Sequence, residues 1–524
     1  MRPWTEPERP RGRCRPRTGI GPIDGGRPGV VIWDPVSAPN VYDAVAYPGF
    51  AQAQTHPDRL ATIALLFGMT PAPPEQCRVL EIACGDARNL VPMASALPES
   101  TFVGFDLASQ PISAGRELAE SLGLKNITLA QKDLMSVTKD IGEFDYVIAH
   151  GLYAWVPPAV QDRLLWLCGE VLAPHGIGYV SYNAFPGCHL RMMYREMMMF
   201  HTRGLTDPTD RIAAAKAGLD LVRRNLPSAS DYGSWMLAEM ERLVQQDPGA
   251  MFHDTFGEIF RPSSFLDFMG HAGKHGLQYL GEAEFLEMND EPFPPEAAEK
   301  LRSFGPDRIL DKEQLMDFLK MRAFRQTLLC RDSVALRRSP KSEDLSRFHI
   351  STRARAIPPA SDSGPTGFVE YQTPTGATMR TELPAFQRLM ERLEKAWPGS
   401  VPFPDLCTGS TDEAAIAELL VRLYGMAIIE LHPTPPRFAV HAGPTPAVST
   451  LVRHQIERSP LVTNLLHANV RVDGEPAKQL VRRLDGRRTR AMLLRELNAA
   501  GIPVTPPLLE EGLDHLTRLA LLVK

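Results

Sequence analysis

The chain has 524 residues, 44% hydrophobic and 23% charged, with a formal net charge of −5. These values exclude a chain that is disordered throughout, and they carry no overall bias toward nucleic acid or membrane surfaces. At about 150 residues per domain, the length predicts three to four domains.

Residues 1–35 form an expected disordered tail. Seven arginines (Arg2, Arg9, Arg11, Arg13, Arg15, Arg17 and Arg27) lie among prolines and glycines, and no apolar run of the secretory type accompanies them. Seven scattered cysteines without a CxxC pair predict reduced thiols, a cytoplasmic protein and no metal ligand set. No run of about 18 apolar residues appears, so no membrane span is expected.

From residue 77 short apolar runs alternate with helical stretches. Strands are predicted at 77–83, 101–107, 126–133, 144–151 and 176–183. Helices are predicted at 87–97, 109–124 and 157–176, the last ending at Pro174 and Gly176. Strands this apolar, alternating with helices, imply an α/β core with a parallel sheet covered on both faces, over residues 36–204. A Met-rich helix at 190–204 (Met192, Met193, Met197, Met198, Met199) reads as packing surface rather than a binding groove. Residues 205–335 look mainly helical, with breaks at Pro208, Pro227 and Pro248. Strand-like segments at 276–285 and 323–332 are candidates to complete the first sheet. Residues 336–365 read as a linker. Residues 366–524, with a hairpin at 368–383, small helices and short strands, suggest an α+β winged-helix-like domain. Its arginines Arg482, Arg483, Arg487, Arg488 and Arg490 are diluted by Asp473, Glu475 and Asp485 and lack interleaved aromatics. No nucleic-acid partner is expected from them.

The chemistry concentrates at 79–134. A strand carrying Glu81 runs into the turn Ala83-Cys84-Gly85-Asp86-Ala87, which opens a helix. Small residues allow a sharp bend and close approach to a ligand, and the helix start offers free N–H groups. Twenty-five residues after Glu81, the second strand ends in Asp106, where a carboxylate can accept both ribose hydroxyls. Asp133 ends the third strand, within reach of an exocyclic amine. Leu107 and Leu134 follow the two aspartates and join the candidate cofactor set. One glycine is too few for the G-x-G-x-x-G of a pyrophosphate loop, and no GK[ST] follows for a P-loop. Cys84 has no catalytic partner and reads as a small filler.

The turn resembles motif I, ExGxGxG, of class I S-adenosylmethionine-dependent methyltransferases, with Ala83 and Ala87 where glycine is common. The resemblance implies a Rossmann-like sheet, Asp106 as the ribose-binding acid and Asp133 as the acid near adenine. Residues 42–69, 144–157, 180–198, 276–285, 317–331 and 469–497 are similar to bacterial methyltransferases that carry a methyltransferase regulatory domain. That group includes the rickettsial protein-lysine methyltransferases. The resemblance spans about 40–500 and implies S-adenosylmethionine as cofactor and a protein lysine as acceptor.

For an amine acceptor, aromatic residues can cradle a cation and desolvate the nucleophile. His150, Tyr153 and Trp155 follow the fourth strand, and Tyr182 and Asn183 end the fifth. Tyr42, Tyr47 and His56 precede the first strand, placed to fold over the cofactor. The candidate catalytic set is His150 (as general base), Tyr153, Trp155 and Tyr182, with His150, Tyr47 and Asn183 also at the cofactor. Two alternatives stay open: a small-molecule or lipid methyltransferase, and a non-catalytic protein that senses the cofactor. The acceptor, the number of methyls transferred and the oligomeric state are not legible.

Overall fold

A strand covered on both faces needs apolar side chains pointing both ways, and Val79, Leu80 and Ile82 supply them. In the computed structural model, which describes residues 47–225, 231–357, 367–374, 376, 378–408 and 412–524, this segment is an interior strand, third in order, of a seven-stranded sheet. The expected tail at 1–35 and Tyr42 lie outside the described residues. The strands are β1 (Arg78–Ile82), β2 (Thr101–Asp106), β3 (Ile127–Gln131), β4 (Phe144–Ala149), β5 (Leu172–Asn183), β6 (Leu277–Glu282) and β7 (Phe324–Arg331). Their order is β3-β2-β1-β4-β5-β7-β6. The first five pair in parallel, and β7 lies antiparallel to both β5 and β6. The two late segments thus complete the Rossmann-like sheet.

Side chains alternate cleanly between the faces. Val79, Phe102, Tyr146, Ile148 and Tyr179 enter one core, with helices α1 (Pro57–Leu66), α2 (Leu90–Ala96) and α3 (Ser109–Ser121). Leu80, Ile82, Phe105, Val147, Val180 and Tyr182 enter the other, with α4 (Pro158–Val171). The order reverses direction between β1 and β4, and in open sheets ligands bind beyond the carboxyl ends of the strands at such a point.

The fifth strand differs from expectation. The helix at 157–176 stops at Val171, and residues 172–176 belong to β5 despite Pro174 and Gly176. Fully buried Leu172 pairs with Phe144, and a register shift between Phe144 and Tyr146 admits the extra residues as an irregularity.

After β5 come α5 (Cys188–His201), α6 (Pro208–Asn225), α7 (Asp231–Val244) and α8 (Pro248–Phe256). They form a satellite core in which Met198 packs with Tyr194, Leu219, Met240, Met251 and Phe256. Helices α9 (Phe265–Gly273) and α10 (Ile309–Lys320) then lead into β6 and β7.

The expected linker carries ordered structure. Its Leu345, Phe348 and Ile350 are buried in the first core, and strands β8 (His349–Ser351) and β9 (Arg355–Ile357) form there. Strands β10 (Val369–Gln372) and β11 (Thr378–Thr381) make the expected hairpin, and β12 (Glu430–His432) pairs with β8. Thr62 of α1 donates to the Leu431 carbonyl at 3.1 Å, so this segment is fused to the sheet domain. Residues 448–522 hold a separate core built on α11 (Thr450–Ile456), the hairpin β13 (Leu461–Thr463) and β14 (Asn469–Arg471), and α12 (Glu475–Arg483), α13 (Arg490–Ala499) and α14 (Pro506–Arg518). The arginines here are paired: Arg482 with Glu457 and Glu475, Arg488 with Asp485 and Glu496, Arg490 with Glu510. Among the described residues no helix is long and apolar enough to cross a membrane.

Candidate functional site

The turn after β1 is strongly bent. Ala83, Gly85 and Ala87 all adopt left-handed backbone, at φ 57°, 54° and 56°. Two alanines in that region cost about 1 kcal/mol each. Asp106 holds the turn in place: Oδ2 accepts the Gly85 N–H at 2.9 Å and Oδ1 accepts the Ala108 N–H at 2.8 Å. A side chain on Gly85 would meet nothing within 4 Å, so the turn faces open space. Beneath it, a Cβ on Gly104 would lie 2.9 Å from Cys84 Sγ, so Cys84 is the packed filler expected. Burial and the neighbouring acids Glu81 and Asp106 push its thiol well above the usual range.

The N-terminal segment lies over this turn. A Cβ on Gly49 would meet Asp86 Oδ1 at 2.2 Å, so the backbone here passes close against the Asp86 carboxyl. Burial raises the Asp86 carboxyl above its ordinary range, against Arg88. Buried Glu81 sits directly behind. Its Oε1 accepts the Asn89 amide at 2.8 Å, and its Oε2 has no partner. Burial pushes this carboxyl up to about 8, opposed by the Asn89 hydrogen bond. Asn89 is a hub. Its amide also donates to Thr55, and its Oδ1 accepts from the Gln52 N–H at 2.8 Å and from His467 Nε2 at 2.9 Å.

Asp133 lies two residues past Gln131, the end of β3, rather than in the strand, and its Oδ1 accepts the Met135 N–H at 2.9 Å. Leu107 is half exposed at the rim, whereas Leu134 is buried in the second core. Glu81, the turn, Asp106 and Asp133 therefore stand at the carboxyl ends of three adjacent strands in the order expected.

The residues after β4 and β5 divide. His150 Nδ1 lies 2.9 Å from the Tyr179 hydroxyl and 3.3 Å from Ser181 Oγ, and burial lowers its pKa to about 4. The lysine reference pKa is about 10.4, so an imidazole this weak is not equipped to deprotonate a lysine ammonium. Tyr153 is buried, and its hydroxyl sits 2.9 Å from His271 Nδ1. Tyr182 is 1% exposed, stacks on Phe268 at 4.1 Å and accepts from Thr327 at 3.4 Å; it is core rather than an open acceptor contact. Asn183 is buried, and its carbonyl accepts the Ser263 N–H. Trp155 is partly exposed and pairs with Phe260 at 4.7 Å, with the Arg191 guanidinium 5.6 Å from its ring. Half-exposed Tyr47 faces His253 at 5.8 Å.

Sequence reading missed Asn89 and His467. Asn89 has a signal, a polar residue two positions past the turn on an otherwise apolar helix face. His467 has none, because 378 residues separate it from Asn89.

Three family models match the chain: a methyltransferase domain over 79–176, a predicted methyltransferase regulatory domain over 247–331, and a PKMT C-terminal winged helix domain over 445–502. The chain is 33% identical over 240 residues to the uncharacterized protein RP028 of Rickettsia prowazekii, which covers 46% of this chain and 96% of that relative. The chain belongs to the S-adenosylmethionine-dependent methyltransferases that carry a methyltransferase regulatory domain. This methyltransferase is also 35% identical over 312 residues to RP789 of the same organism, across 59% of this chain but only 56% of that relative. It is similar to the structure of PKMT2 from Rickettsia typhi, alone and in complex with AdoHcy, with a TM-score of 0.81 and 25% identity. The likeness covers 91% of this chain and 100% of that one. The cofactor of the methyltransferase is S-adenosylmethionine. The open face above Gly85 and the orphaned Oε2 of Glu81 fit a ligand that carries positive charge.

Proposed function

We propose that the protein transfers methyl from S-adenosylmethionine to a lysine side chain of a protein substrate. The observation that carries this reading is the likeness to PKMT2 over nine-tenths of the chain, which includes the winged helix as well as the sheet.

When bound, the cofactor supplies an electrophilic methyl on a sulfonium. The residues of the chain position it. Asp106, which accepts the Gly85 and Ala108 N–H groups, also receives the ribose hydroxyls, since a carboxylate accepts at both oxygens. Asp133, Leu107 and Leu134 border the adenine. Gly85 and its alanine neighbours bring the backbone close, and Glu81, Asp86 and Asn183 line the amino-acid end. Gly49 to Gln52 close over the turn and exclude water, which favours in-line displacement.

The acceptor amine must be neutral when it attacks. His150, at a pKa of about 4, serves as an oriented neutral neighbour rather than as the base. Trp155 and Phe260 already hold the Arg191 guanidinium against their faces, so they offer a surface suited to a lysine cation. Tyr47 flanks the same mouth, Tyr153 positions the loop, and Tyr182 supports Tyr153 from the core at a ring separation of 5.8 Å.

The test is radiolabelled methyl transfer from S-adenosylmethionine into a protein fraction and, separately, into metabolite and lipid extracts. Label in protein that survives acid hydrolysis as methyl-lysine is the expected result. Label confined to small molecules or lipids, or cofactor binding with no transfer, would overturn the assignment.

A further inference from the structure

Away from the turn, three side chains converge between two helices. His271 Nε2 lies 3.1 Å and His275 Nε2 2.9 Å from the same oxygen, Asp162 Oδ1. We propose that Asp162, His271 and His275 form a zinc site that staples α4 to the end of α9.

The donor set, two imidazoles and a carboxylate, suits Zn2+ with water as the fourth ligand. In a tetrahedral site with bonds of about 2.0–2.1 Å, neighbouring ligand atoms stand about 3.3 Å apart. The observed separations are a few tenths of an ångström shorter. All three ligand atoms lie within 4.8 Å of one another. The ion enters with small side-chain adjustments and no backbone movement.

The backbone is built for this. His271 sits in the last turn of α9, and His275 follows one turn later, its N–H bonded to the Ala272 carbonyl at 3.0 Å. A Cβ on Gly169 of α4 would lie 2.3 Å from the His275 carbonyl oxygen, so only glycine lets the two elements approach closely enough. Gly169 fixes His275 against the helix that carries Asp162.

A second layer is also present. The other nitrogen of His271, Nδ1, faces the buried Tyr153 hydroxyl at 2.9 Å, and Tyr153 is itself held by Gln161, which donates to its carbonyl at 2.7 Å. With zinc on Nε2, the imidazole proton sits on Nδ1 and is donated to the Tyr153 oxygen. Metal-bound histidines characteristically use their second nitrogen in this way. The staple thereby orders the loop after β4, and it stands or falls independently of which molecule accepts the methyl group. Asp162 remains open to solvent, with its side chain 60% exposed, which gives the ion an entry path.

The full-length protein, stripped with EDTA, is titrated with zinc chloride against a chromophoric zinc indicator. One tightly bound zinc per chain is expected. His271→Ala and His275→Ala should each abolish that stoichiometric binding. Asp162→Asn, a change at an exposed position that leaves folding intact, should weaken it at least tenfold. Tyr153→Phe should weaken it by about tenfold, the lower end of second-layer effects. X-ray absorption at the zinc edge should show nitrogen and oxygen neighbours. Absence of stoichiometric zinc in the wild type, undiminished binding in Asp162→Asn, or sulfur neighbours from the buried cysteines would each overturn the proposal.

Discussion

Asn89 joins His467 to Glu81. Its amide donates to the Glu81 carboxylate at 2.8 Å while its carbonyl oxygen receives His467 Nε2 at 2.9 Å. Because the Gln52 N–H also points at that oxygen, the oxygen is the acceptor and His467 must donate. The β13–β14 hairpin loop thus reaches back to the strand end beside the turn after β1. Asn469 reinforces the seam, donating to the Ala51 carbonyl at 2.7 Å. The winged helix therefore helps to hold the segment around Ala51 and Gln52 that lies beside the turn after β1.

His467→Ala should weaken S-adenosylmethionine binding without unfolding the sheet domain. Losing one buried hydrogen bond is worth about 0.5–1.5 kcal/mol, or about 2- to 12-fold in affinity. Calorimetric titration measures it. Unchanged affinity, with circular dichroism like the wild type, would mean that the seam is architectural only.

Asp106→Ala should cost more. The carboxylate holds the Gly85 and Ala108 N–H groups and is assigned the ribose hydroxyls. Cofactor affinity should fall by about 1–3 kcal/mol for charged hydrogen-bonding partners. Asp106→Asn keeps one acceptor oxygen and should fall between. Equal affinity of Asp106→Ala and wild type would remove Asp106 from the cofactor site.

Acid should loosen the seam. Burial is the main cause that lowers both imidazoles, His467 well below its ordinary value and His56 to about 4. His56 and Arg59 depress His467 further. The unfolded chain binds these protons first, near pH 6.5, so the stability is fully present above that pH. It is lost as pH falls toward about 4. Thermal melts between pH 7.5 and pH 5 should show a declining midpoint, and His467→Asn should flatten the decline. An unaltered slope in that variant would place the acid sensitivity elsewhere.

Much of this was legible because the donor turn is local. Glu81, Gly85, Asp106 and Asp133 announce themselves by strand period and spacing, and strands β6 and β7 by their apolar runs. What was not legible depends on distant pairing. Pro174 and Gly176 are ordinary helix stops, yet Leu172 pairs with Phe144 and draws both into β5. Tyr182 looks like a rim residue at a strand end, but its side chain faces the core that Phe268 fills. The linker resisted reading because its apolar residues Leu345, Phe348 and Ile350 are spaced for neither helix nor strand alone. They gain a structure only against β12 and the sheet domain.

The last two strands of the sheet rest on a buried charge. Arg325 of β7 is fully buried, bonded to Glu282 of β6 and to Glu313 and Asp317 of α10, with Phe265 stacked 3.9 Å from its guanidinium. Burial opposes its charge, but Glu282 and Glu313 outweigh that and hold its pKa well above the ordinary value. Asp317 is pushed up to about 6 by burial, against Arg325. Arg325→Met is close in volume but removes the cation bonded to Glu282 and leaves Glu313 and Asp317 with Arg322 alone, at 3.6 and 3.1 Å. Breaking a buried pair in this way costs about 3–5 kcal/mol. Urea unfolding should show a lower midpoint for Arg325→Met, whereas Asp317→Asn, which removes one acid and leaves Glu282 and Glu313, should lose less. If the two variants unfold at the wild-type midpoint, the β6–β7 edge does not depend on this cluster.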